Sequence, residues 1–170
     1  MTGVGIIYEE SNLLTIPVGD RLEVCSSIIK NEKDESLRGE AIWVVGKTAS
    51  QCSDNESIRD EVADLLEHVL KHDNNDIVKH EACFQLGEHK MKKKIPALLG
   101  AAMNDPSEIV RHEAVEALGL MQAFEYKDVI KQFLKDPNSG VRQTAVFVLK
   151  QLERQEKAKS VNHTQPSNGQ

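Results

Sequence analysis

The ten residues VRHEAVEALG, Val110 to Gly119, decide the fold, because the chain repeats them in altered form. Aligned on its first apolar residue, Val110-Arg111-His112-Glu113-Ala114 follows Leu37-Arg38-Gly39-Glu40-Ala41 and Val78-Lys79-His80-Glu81-Ala82, and precedes Val141-Arg142-Gln143-Thr144-Ala145. The four starts, at 37, 78, 110 and 141, lie 41, 32 and 31 residues apart, within the range of solenoid repeats. Each segment reads apolar, basic, two variable residues, then Ala. Val110, Ala114, Ala117 and Leu118, like Val141, Ala145, Val148 and Leu149, form one face of an α-helix. Gln85 breaks that stripe in the second copy. Ala114 and Ala145 mark the positions where neighbouring helices approach closely.

Start and stop signals frame these helices. Asp105-Pro106-Ser107-Glu108 offers an N-cap, a proline at the first helical position and a capping-box glutamate. Asp136-Pro137 repeats the signal, and Asn74, Asn75 and Asp76 supply caps before Val78. Gly87 and Gly119 stand where a helix stop is expected, and serve as terminators or close-packing points. A partner helix precedes each segment, at about 20–30, 57–71, 93–103 and 126–135, with the longest insertion at 48–56. The expected architecture is all-α: an α-solenoid of about four HEAT-like antiparallel helix pairs. Its boundaries are an N-terminal segment 1–17, a repeat domain 18–154 and a disordered polar tail 155–170.

Composition narrows the function. The 170 residues carry a formal charge of -6, which argues against general affinity for nucleic acid or an anionic membrane. No apolar run approaches the roughly 20 residues that span a bilayer, and the N-terminus lacks a signal-peptide pattern. Cys25, Cys52 and Cys83 match no CxxC pattern, so reduced thiols and a cytoplasmic location are expected.

Two of the four segments carry His-Glu at the same register, His80-Glu81 and His112-Glu113. At about 100° per residue, with Val110 at zero, the apolar stripe centres near 25°, His112 falls near 200° and Glu113 near 300°. The histidines therefore point away from the core stripe. Two readings stand side by side: solvated surface positions, or a metal site shared by neighbouring repeats. Repeat helices pack roughly 8–10 Å apart, so two imidazoles can reach one ion with bonds of about 2 Å. Two histidines and one carboxylate suit ferrous iron and leave coordination positions open for dioxygen. Trp43, Phe84 and Phe147 follow Gly39, His80 and Gln143 by four residues, with Glu116 equivalent after His112. Those aromatics either meet a partner on this face or wedge between helices. His68 and His72, at i,i+4, and the basic run Lys90, Lys92, Lys93 and Lys94 are expected to be solvated.

Val78 to Gly87 followed by Val110 to Gly119 resembles deoxyhypusine hydroxylase, a HEAT-repeat iron enzyme with paired His-Glu motifs on successive helices. The resemblance spans about residues 20 to 154, and its specific part is the His-Glu spacing. It implies His80, His112 and Glu113 as iron ligands, and Glu81 as a further ligand or as a catalytic group beside the substrate amine. The family has four His-Glu motifs in two halves holding two irons; this sequence has two motifs. The resemblance thus implies a homodimer that completes a di-iron (Fe2+) centre, and a protein substrate, a translation factor bearing deoxyhypusine. The other function class is a HEAT-repeat adaptor that binds a protein partner without chemistry.

Overall fold

The computed structural model describes residues 11–163, and side chains through residue 160. Among the described residues eight α-helices follow one another in antiparallel pairs: α1 (Val18–Asn31) with α2 (Glu35–Gln51), α3 (Glu56–His72) with α4 (Asp76–Glu88), α5 (Ile95–Asn104) with α6 (Glu108–Leu120), and α7 (Lys127–Ile130) with α8 (Ser139–His163). Short 3-10 turns precede α5 and α7, and another, Lys131–Lys135, continues α7, so the helix expected at 126–135 is broken. The second helices α2, α4, α6 and α8 pack on one another in sequence, forming the inner layer of an α-solenoid.

Within the described residues the N-terminal segment makes a 3-10 turn, Asn12–Thr15, tied to α1 by Arg21, which donates to the carbonyls of Leu14 and Ile16. Residues 1–10 and 164–170 of the expected terminal segments lie outside the described residues. Residues 155–163 continue α8 beyond the boundary expected near 154, where Lys127 pairs with Glu156.

The expected core stripe is buried. Val78, Val110 and Val141 open their segments inside the core, as do Ala114, Ala145, Val148 and Leu118, whereas Leu37, in the first segment, is exposed. Each basic second residue has a structural partner. Arg38 donates from Nε and Nη2 to Asp73 at 2.7 and 3.0 Å, and Arg111 repeats this on Asp136 at 2.9 and 3.0 Å. Lys79 pairs with Asp105 in the same way. A ladder of largely buried ion pairs therefore ties each of the first three segments to the turn of the next repeat, while Arg142 donates to the carbonyls of Asp136 and Pro137.

That ladder corrects the cap assignments. Asp105 is not the cap of α6: its carboxylate receives Lys79 and the Ser107 amide, and the cap position falls to Ser107. Asp136 is likewise taken by Arg111, and Asn138 accepts from the Gly140 and Val141 amides at the start of α8. Asn75 caps α4 as expected.

Gly87 and Gly119 are packing points. The chain leaves α4 and α6 slightly later, through Lys90 (φ 51°) and Gln122 (φ 56°) in the left-handed region. The Met91 amide closes on the Leu86 carbonyl and the Lys90 amide on that of Gly87, the paired pattern of a Schellman turn, and Ala123 on Leu118 with Gln122 on Gly119 repeats it. A Cβ on Gly87 would lie 2.8 Å from the Ala117 backbone, so the α4–α6 approach depends on the missing side chain.

Candidate metal centre

The inner-layer helices meet with an offset of one residue. The fourth residue of one segment faces the third residue of the segment before it, so Glu113 Oε2 lies 3.1 Å from His80 Nε2. One repeat on, Thr144 Oγ1 lies 2.6 Å from His112 Nδ1. The sequence pattern suggested that equivalent residues would be neighbours. Stacked helices do not share one level, and the offset brings the carboxylate of one His-Glu motif to the imidazole of the other.

Glu113 is the hub. It is only 6% exposed, and its carboxylate, a ring nitrogen of His112 and the Glu116 carboxylate offer ligand atoms that all lie within 4.8 Å of one another. Glu116 Oε2 stands 3.5 Å from His112 Nε2, one helical turn along α6. The imidazoles are more open, with 36% of the His80 side chain and 41% of the His112 side chain exposed. The ligand atoms thus sit at the floor of an accessible surface. His80 has a pKa raised above the ordinary imidazole value by its contact with Glu113, against the opposing effect of burial.

Glu81 has a different environment. Its carboxylate accepts a 2.8 Å hydrogen bond from Gln85 Nε2, while Gln85 Oε1 lies 3.0 Å from His89 Nε2. Burial holds the Glu81 pKa above the usual carboxylate range. Gln85, which breaks the apolar stripe, therefore has a role: it is a buried amide that spans Glu81 and His89. A Cβ on Gly46 would fall 1.8 Å from Gln85 Oε1, so the opposing glycine makes room for it. Glu81 stands apart from the close group of His112, Glu113 and Glu116.

The donor set is imidazole nitrogen and carboxylate oxygen, which fits ferrous iron and its divalent neighbours. The buried thiols contribute nothing to it: burial pushes the Cys25 pKa up to about 11, and Cys83 higher still, with Glu113 adding to that rise. Phe84 and Phe147, 39% and 61% exposed, come from the helices on either side of α6, at the register of Glu116. Trp43 is half-buried against the core, with Lys47 Nζ 5.2 Å from its ring centre, so it belongs to the wedged class. The rings of His68 and His72 lie 4.5 Å apart on α3, away from the site. Glu116 as a candidate ligand and the roles of Gln85 and Thr144 went unrecognised in the sequence. A signal for Thr144 existed in its alignment with Glu113.

The fold and this site define a class: an all-α solenoid with a polar strip on its inner helices. The family model of HEAT repeats matches residues 62–150, and the chain belongs to that family. Within it, the likeness is to deoxyhypusine hydroxylases. The chain is 39% identical over 82 residues to deoxyhypusine hydroxylase of Gallus gallus, covering 48% of this chain and 27% of that protein. It is 30% identical over 137 residues to deoxyhypusine hydroxylase of Candida glabrata, covering 77% and 42%. The solved structure of human deoxyhypusine hydroxylase in complex with glycerol has the same fold. It superposes with a TM-score of 0.69 at 21% identity, over 89% of this chain and 49% of that one. The chain thus spans less than half the length of these curated relatives. Among the described residues no helix is long and apolar enough to cross a membrane.

Proposed function

We propose that this solenoid holds ferrous iron with His80, His112 and Glu113, and hydroxylates a side chain of a protein substrate. The observation that carries the proposal is the convergence of both His-Glu motifs on one buried carboxylate: Glu113 meets His80 at 3.1 Å and groups with His112 and Glu116. Bound iron would supply the activation of dioxygen, with one oxygen atom entering the C–H bond and the other leaving as water at the expense of two electrons from an added reductant.

The chain's own residues would do the rest. Glu113, shielded from water, positions His80 by direct contact, and His80, His112 and Glu113 would be the residues that hold the ion. Glu116 is a fourth donor, or an anionic contact for a substrate amine. Glu81, fixed by Gln85, is the second such contact, and Phe84 and Phe147 flank the entry with apolar surface for methylene groups. A long aminoalkyl side chain, as the relatives' name specifies, fits this combination of acids and aromatic walls. The reading extends to a translation factor as substrate, to a cytoplasmic location, and to a homodimer whose opposed His80/His112 faces bring two irons together.

The test is hydroxylation of a deoxyhypusine-bearing protein by the full chain, loaded anaerobically with ferrous iron and then given dioxygen and a reductant. Product formation that disappears in His80→Ala and His112→Ala supports the proposal. Failure of the loaded wild type would leave the adaptor reading, favoured by the exposed Phe147 and Val146 on α8. Sedimentation of the same sample reads the assembly: a mass about twice 19.0 kDa supports the paired site, and a strict monomer overturns it.

A further inference from the structure

The register that sets Glu113 against His80 sets Thr144 against His112. Thr144 is the fourth residue of the Val141 segment, is itself buried, and has its hydroxyl 2.6 Å from His112 Nδ1 and 3.1 Å from the Gly140 carbonyl. A hydroxyl has one proton to donate. The Gly140 carbonyl can only accept, and back-bonding of a helical threonine to the carbonyl four residues earlier is its ordinary arrangement. With the proton placed there, the oxygen turns its lone pairs to the ring, and Nδ1 is the donor.

We infer that Thr144 is a positioning residue that holds His112 as the Nδ1–H tautomer and leaves the Nε2 lone pair on the side of Glu116. The spacing on the far side of the ring agrees. His112 Nε2 stands 3.5 Å from Glu116 Oε2, beyond the roughly 2.7–2.9 Å of a charge-assisted N–H···O bond. At that separation no N–H···O bond is made, so Glu116 does not hold a proton on Nε2 as Thr144 holds one on Nδ1. The two imidazoles are therefore inequivalent: His80 has its Nε2 on a carboxylate, and His112 has its Nε2 kept open from behind. As a ligand atom for a metal, that Nε2 rests on the function proposed above; the tautomer does not.

The metal-free full chain, with histidine labelled in nitrogen-15, tests this by long-range proton–nitrogen correlation well above the ordinary imidazole pKa. His112 is assigned by its loss in His112→Gln. The expected result is an Nδ1–H ring in the wild type, loss of that preference in Thr144→Val, and its return in Thr144→Ser. An Nε2–H ring in the wild type overturns the inference whether or not the valine variant folds, and so does an unchanged ring in a folded valine variant. Titration with Co2+ alone then reads the consequence: Thr144→Val weakens binding about 10- to 100-fold, and Thr144→Ser recovers it. Wild type that shows the expected tautomer but binds neither Co2+ nor Fe2+ sinks the metal reading and leaves the tautomer assignment standing.

Discussion

Two strips of contact run along the same stacked helices, and they differ in what the repeats preserve. At the turns, Arg38–Asp73, Lys79–Asp105 and Arg111–Asp136 make the same ion pair three times over. Along the inner face, the offset contacts change at each step: His80 faces Glu113 and His112 faces Thr144. The packing register is one and the same. Chemistry that recurs unchanged holds the solenoid together, and chemistry that varies step by step builds the site.

If the seams set stability, the largest loss comes from closing the gap left by a missing side chain. Gly87→Val places atoms against the Ala117 backbone and should destabilise by about 3 kcal/mol or more. Gly100→Ala, with open space around it, should instead stabilise by about 0.5–1 kcal/mol. Equal changes in urea midpoint for the two would break the stacking account.

The ladder comes next. Asp136→Asn removes one partner of a buried bidentate pair and should cost about 3 kcal/mol while leaving metal affinity near the wild-type value. The same pair gives an acid dependence. The hydrogen bonds from Arg111 hold the Asp136 pKa below its ordinary value, so the native state binds this proton less readily than the unfolded chain. Its stabilisation is complete above the unfolded carboxylate range, about 3.9, and is lost as pH falls through the depressed native value. Melting curves of Asp136→Asn should show a shallower acid slope than wild type; parallel slopes would remove the ladder from the acid response.

The smallest effect lies on the rim. Phe147→Ser, at a side chain 61% exposed, should change stability by no more than about 0.5 kcal/mol. A large drop in melting temperature there would mean that Phe147 serves the fold rather than the surface beside the site.

Much of this was legible in the chain. The apolar stripe at Val110, Ala114, Ala117 and Leu118 survives in the core because helix periodicity and burial are local consequences of the same spacing. The caps at Asp105 and Asp136 were misread, because an aspartate at a helix start has two competing uses. The basic residue that claims it belongs to another repeat, distant in sequence. Of the two roles open to the glycines, stop or close-packing point, they take the second: Lys90 and Gln122 end the helices and the glycines receive the next helix. The two His-Glu pairs stand out as candidates by their repetition, and the resemblance narrows them to His80, His112 and Glu113. That Glu113 would be buried against the His80 ring while Glu81 turned to Gln85 depends on the one-residue offset between stacked helices. No single segment encodes that offset.

Anaerobic titration of the full chain with ferrous iron tests the central claim most directly. Wild type should bind about one iron per chain, and His80→Ala, His112→Ala and Glu113→Gln should each abolish tight binding while keeping the helical circular dichroism of the solenoid. Wild type that binds no iron, or variants that bind it as tightly as wild type does, would contradict the account.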